Sequence, residues 1–134
     1  MITEDYVSFE TAKLLNEKGF DENTPVNYFV GDDKPRGCVV GEMIYHKRGE
    51  EDAYLIACPT LQMTMKWLRE IHKLEVRSIY DYDKDSWWGN IDPMFDETDE
   101  NSDIYQKALR FDYQGKSYEE AAESAIKYAL ENLI

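Results

Sequence analysis

The stretch from Ser117 to Leu133 constrains the fold more than any other part of the chain. Ser117 followed by Glu120 has the spacing of a capping box, in which a hydroxyl and a carboxylate satisfy the free N–H groups of a helix start. Tyr118, Ala121, Ala122, Ala125, Ile126, Ala129, Leu130 and Leu133 then repeat at helical spacing, with Glu119, Glu120, Glu123, Lys127 and Glu131 opposite. A helix with one continuous apolar face must bury that face against another layer.

The rest of the chain points to a sheet as that layer. Stretches rich in β-branched and aromatic residues lie at 26–30, 38–46 and 53–57, and again at 75–82, 87–91 and 105–113. Val76, Ser78, Tyr80 and Tyr82 alternate with Glu75, Arg77, Ile79 and Asp81. Leu109, Phe111 and Tyr113 alternate with Arg110 and Asp112. Both patterns read as half-buried strands.

Two more helices are expected. The first spans about Ser8 to Lys18, with Ser8 as N-cap, Gly19 as the left-handed closing residue and Phe20 placed to meet Leu15. The second spans about Thr60 to Lys73, with Leu61, Met65, Leu68 and Ile71 on one stripe, widened by Met63 and Trp67. His72 and Lys73 sit where a helix end favours positive charge. The expected fold is therefore α+β: a mostly antiparallel sheet with three helices, in the order α-βββ-α-βββ-α. At 134 residues the expectation is a single compact domain over 1–134.

Charge narrows the partners. With 28 Asp and Glu against 15 Lys and Arg, the net charge is −13. A polyanion is repelled by such a surface, so no nucleic acid partner is expected, and a basic protein is the favoured one. Tyr80, Tyr82, Trp87 and Trp88 would serve as a base-stacking platform only on a basic surface, which this chain lacks. Asp92 to Asp103 holds six carboxylates (Asp92, Asp96, Glu97, Asp99, Glu100, Asp103) and no basic residue, and is expected to be a mobile acidic loop at 92–103. Strand alternation puts one of Trp87 and Trp88 in the core and the other on the surface. The candidate partner-binding residues are thus Trp87, Trp88, Asp96, Glu97, Asp99 and Glu100. DNA mimicry is a special form of this docking and would need carboxylates on rigid elements, Glu119 and Glu123 among them.

No apolar run is long enough to span a bilayer, so no membrane partner is expected. The acidic start, Met1 to Asp5, lacks the basic and apolar regions of a secretory signal, and the expected localisation is cytoplasmic.

Chemistry-bearing motifs are sparse. Asp81, Asp83 and Asp85 with Asp92 match positions 1, 3, 5 and 12 of a calcium-binding helix–loop–helix turn. Ser86 stands where that turn needs glycine, and the flanks read as strands, so the competing reading is an acidic hairpin turn. Cys38, His46, Cys58 and His72 lack the close ligand pairs of structural zinc sites. No phosphate-binding glycine loop and no nucleophile–base motif occurs, and no cofactor is expected. The chain reads as a non-enzyme, with a small enzyme or ligand-binding protein as the alternative. That alternative would hold His46 or Cys38 in a pocket between sheet and helices.

Three segments carry a resemblance. Residues 58–72, with Pro59, Thr60, Gln62 and the Trp67-Leu68-Arg69-Glu70 run ahead of His72, resemble a recurrent APTQ-WLRE helix. Residues 117–130 resemble a recurrent SYEEA closing helix, and residues 7–20 are similar to the start of the same proteins. These are small uncharacterised proteins of gut-bacterial prophages and mobile elements. The resemblance covers about a third of the chain and carries no catalytic residue. It implies a cytoplasmic, phage-associated accessory role, with a basic host or phage protein as partner.

Overall fold

The structure, a computed structural model, describes residues 2–31, 34–44 and 55–134, with side chains described over 2–28 and 56–134. By internal packing the chain divides into two compact units, Met1–Thr60 and Leu61–Ile134. The architecture is α+β, with four helices and two three-stranded antiparallel sheets among the described residues.

The first unit holds α1 (Phe9–Glu17), β1 (Thr24–Gly31), β2 (Lys34–Ile44) and β3 (Leu55–Ala57), with β1 central in the order β2-β1-β3. Ser8 caps α1 by accepting a hydrogen bond from the Thr11 N–H. Gly19 closes it at φ +92°. The Phe20 N–H donates to the Leu15 carbonyl at 2.9 Å and the Gly19 N–H to that of Asn16 at 3.4 Å. These are the paired bonds of a Schellman ending. Leu15 and Phe20 are both buried, as the clasp requires. The chain's first strand-like segment is tied down by Val7, whose N–H donates to the Pro59 carbonyl and whose carbonyl accepts from the Tyr28 hydroxyl.

The second unit holds α2 (Leu61–His72), β4 (Leu74–Asp81), β5 (Ser86–Pro93), α3 (Ser102–Arg110), β6 (Tyr113–Gly115) and α4 (Tyr118–Asn132). The sheet order is β4-β5-β6, antiparallel throughout. β4 and β5 form an unbroken hairpin from Leu74 opposite Pro93 to Asp81 opposite Ser86. α4 packs on all three strands, and α2 packs beside it against β4 and α4. Ala121, Ala122, Ala125, Ile126, Ala129 and Leu130 of α4 are buried, with Leu74, Val76 and Ile91 buried on the strands. The small alanine face lets the helix lie close to the sheet, and Gly89 of β5 is where the Ala121 backbone comes nearest. Ser117 accepts from the Glu120 N–H at 3.1 Å. The Glu120 carboxylate reaches back one residue further than a capping box requires, to the Lys116 N–H.

Four expectations are corrected. The segment 105–113 is not a strand: 102–110 is α3, and only Tyr113–Gly115 is extended. Asp103 in its first turn and Lys107 and Arg110 in its last complement the helix dipole, and Asp103 pairs with Lys107 at 3.0 Å across one turn. Among the described residues the order is accordingly α-βββ-α-ββ-α-β-α, with four helices and two sheets. The acidic run 92–103 is not one loop. Asp92 lies in β5 bonded to Arg77, Asp103 lies in α3, and only 94–101 connects them. On α2, Thr64 and Trp67 are buried whereas Ile71 is 60 % exposed.

Candidate functional site

The β4–β5–β6 sheet has two unlike faces, fixed by alternation. Leu74, Val76, Ser78 and Tyr80 pair across with Pro93, Ile91, Gly89 and Trp87, and this is the face under α4. Ser78 Oγ donates to the Tyr118 carbonyl at 2.9 Å, and Trp87 sits edge-on to both Tyr80 and Tyr118. The opposite face is built from Glu75, Arg77, Ile79 and Asp81 with Trp88, Asn90 and Asp92, and Gln114 of β6 lies next to Trp88.

The strand-adjacent tryptophans therefore part company as alternation requires. Trp87 takes the helix-covered face but is only half-buried, so neither tryptophan enters the core as expected. Trp88 lies half-buried on the other, its indole N–H donating to Asp81 Oδ2 at 2.9 Å. Around it a shallow cleft of about 280 Å³ is lined by Ile79, Tyr80, Asp81, Tyr82, Trp88 and Asn90. Ile79, Tyr80 and Tyr82 are 45, 44 and 87 % exposed. Three large side chains left to solvent on one hairpin are a natural contact surface.

The aspartates of the turn each have a local task. Asp81 Oδ1 accepts the Asp83 N–H at 3.0 Å, and its Oδ2 also accepts from Gln114 at 3.3 Å. Asp85, at φ +47°, accepts the Tyr80 hydroxyl at 2.6 Å. Asp92 is not with them: it stands opposite Glu75, six rungs from the turn, or about 20 Å along the strand. Its carboxylate takes the Arg77 guanidinium at 2.9 Å. Among the described residues no group of three or more His, Cys, Asp or Glu is gathered to hold a metal. The hairpin keeps the calcium-loop spacing in sequence but spends it on a turn and a strand.

Two tyrosines donate to carboxylates and are thereby held protonated. The bond to Asp85 raises the Tyr80 pKa, and the bond to Glu120 raises that of Tyr113. Glu120 in turn is pushed below the usual carboxylate range by the Tyr113 hydroxyl and the Lys116 N–H.

Of the other sequence candidates, Asp96, Glu97, Asp99 and Glu100 are exposed between β5 and α3, where Glu97 accepts from the Gln106 carboxamide at 2.7 Å. Cys58 is buried, its thiol 3.8 Å from the Val7 carbonyl. His46 lies outside the described residues, and of Cys38 only the backbone in β2 is described.

His72 packs edge-on against Trp67, and its Nε2 is buried with no hydrogen-bond partner. Burial lowers its pKa from the ordinary 6.5. A base with a lowered folded pKa stays neutral while the unfolded chain takes up a proton, so its stabilising effect is complete at high pH and is lost as pH falls below the unfolded value. The expected result is a Tm that drops between about pH 7.5 and about pH 5.5, above the carboxylate range. His72→Gln should flatten that slope. An unchanged slope in the variant would assign the pH dependence to another group.

The sequence did not single out Ile79, Asn90 or Gln114 as site residues. The alternation of β4 put Ile79 beside Arg77 and Asp81 on the solvent face, which was signal enough for Ile79. Gln114 lies just past the strand expected over 105–113, which ends at Tyr113.

Comparison with models of protein families, with curated proteins and with solved structures finds no match to this chain. Among the described residues no helix is long and apolar enough to cross a membrane.

Proposed function

We propose that this chain is a small acidic, non-enzymatic accessory protein of a phage or mobile element, which docks a basic protein partner through the β4–β5 hairpin. The observation that carries the reading is the juxtaposition of exposed Ile79, Tyr80 and Tyr82 with the carboxylates of Asp81, Asp83 and Asp85. Aromatic anchors ringed by charge are the usual makings of a binding hot spot. The net charge of −13 would steer a basic partner toward the surface and repel nucleic acid. The mobile-element assignment rests on the resemblance of the helical segments. The cleft is slightly below the range of about 300–1,000 Å³ in which drug-sized ligands bind, so a partner's side chain suits it better than a metabolite.

The test is capture by the immobilised chain from a lysate of its native host, compared with a double variant, Ile79→Ser with Tyr82→Ser. Both residues are exposed, so the variant should fold with a stability change within about 0.5 kcal/mol. A partner should be held by the unaltered chain and lost by the variant. It should also be released as salt shrinks the Debye length from about 10 Å at 0.1 M to about 3 Å at 1 M. Equal capture by both proteins, or no salt-released partner at all, defeats the reading.

A further inference from the structure

We infer that the cleft on the open sheet face takes an arginine side chain of the basic partner, an inference that rests on the docking reading above. Asp81 is its centre. Three neutral donors, the Asp83 N–H, the Trp88 indole and the Gln114 carboxamide, fix the carboxylate in place. Among the described residues no Lys, Arg or His forms an ion pair with it. Arg77, on the same face, is occupied by Asp92 at 2.9 Å and Glu75 at 3.6 Å. A carboxylate has about four lone-pair sites, so a rigid and uncompensated negative charge keeps room for a further donor.

The walls specify what kind of cation. Trp88 and Tyr82 supply aromatic surface and Ile79 an apolar one, while the Tyr80 ring packs against Trp87 on the other face. Asn90 Oδ1, at the same cleft, is buried with no hydrogen-bond partner. An unmet buried acceptor is costly, and the terminal torsion of Asn is soft, so the carboxamide can turn to meet an incoming donor. A guanidinium answers all three features at once. It lies flat against aromatic faces, donates one N–H to the lone pair left on Asp81 Oδ1, and has N–H groups left for an amide oxygen. A lysine ammonium is a more strongly hydrated point charge and makes only the second of these contacts well.

The experiment titrates the full, ¹⁵N-labelled chain with acetyl-Gly-Arg-Gly-amide, its lysine counterpart, and its citrulline counterpart, which keeps the shape of arginine without the charge. The arginine peptide should move the Trp88 indole and Asn90 carboxamide signals saturably. The lysine peptide should bind at least threefold more weakly and the citrulline peptide should leave both signals in place. Asp81→Asn should weaken the arginine peptide at least tenfold. Asp81 also helps hold the turn, so the citrulline arm, done on the unaltered chain, keeps the test decisive should the variant lose its fold. Equal binding of citrulline, or shifts confined to Glu119 and Glu123 or to the 96–100 segment, overturns the arginine assignment. If capture through Ile79 and Tyr82 then persists, the docking reading stands without it. If the arginine peptide binds as expected but the double variant captures the partner undiminished, the docking reading is the one that falls.

Discussion

Replacing Gly89 by alanine is expected to destabilise the second unit by about 3 kcal/mol, the upper end for forcing an extra carbon into a packed core. An added Cβ would stand 2.5 Å from the Ala121 carbonyl oxygen and 3.2 Å from its carbon. Real Cβ atoms do not come that close, and the obstacle is backbone, which cannot rotate aside as a side chain would. Nor is the helix free to lift. The first turn of α4 is held by the Ser117 cap and by the Ser78 hydroxyl on the Tyr118 carbonyl. α4 would have to shift bodily and open the contacts beneath Ala121, Ala125 and Ile126. Gly115, where the nearest atom would be 3.1 Å away, is the internal control and should cost less. Urea unfolding checks both: a lowered midpoint at constant slope for Gly89→Ala, a smaller drop for Gly115→Ala. An unchanged midpoint for Gly89→Ala would mean that α4 is not seated as described.

The helices whose ends carry chemistry were legible in the sequence, and α3 was not. Ser8 with Gly19 and Phe20, and Ser117 with Glu120, are local devices whose bonds lie within a few residues, so spacing alone locates them. α3 lacks such a device: Asn101 makes no side-chain cap bond, and only Ala108 on the helix is buried. Its apolar stripe is short, only Ile104, Tyr105 and Ala108, and a strand-like alternation runs beside it. The alternation of Leu109, Phe111 and Tyr113 then dominated, although Leu109 is exposed. The signal that could have found it was electrostatic, an acid in the first turn with two bases in the last. Gly89 was invisible for a different reason. Its role depends on how near another helix passes, which no local pattern encodes.

The candidate site was half legible on the same grounds. Strand alternation sends Trp87 and Trp88 to opposite faces, and it does so here. What it cannot supply is the partner of each ring. Asp81 meets Trp88 diagonally across the hairpin, and Gln114 joins them only because β6 turns back to pair with β5. The calcium-like spacing failed because β5 runs away from the turn and carries Asp92 six rungs from Asp81, whereas a coordinating loop curls its residues round one point. The strand-forming flanks already favoured the hairpin.

Leu130→Ala should cost about 3–5 kcal/mol, and its sign separates two accounts of α4. Were the helix held by its own propensity, alanine, the strongest helix former, would stabilise it. If it is held by its buried face, deleting the leucine leaves a cavity in a fully buried position. The neighbourhood decides how large the penalty is. Ala125, Ala129 and Ala122 line the same face and have no flexible side chains to swing into the gap. A site that cannot collapse keeps its cavity, which puts the expected cost toward the upper part of the range for leucine truncation. Leu109→Ala on α3 makes the same chemical change at a position 51 % exposed and should lie within about 0.5 kcal/mol of the unaltered chain. Thermal and urea unfolding of the pair thus give a large loss and almost none for one substitution type. A Leu130→Ala protein as stable as the Leu109→Ala protein would show that α4 does not depend on its contact with the sheet. In that event the cleft on the sheet's other face would lose the rigid support that holds Asp81 and Trp88 in register.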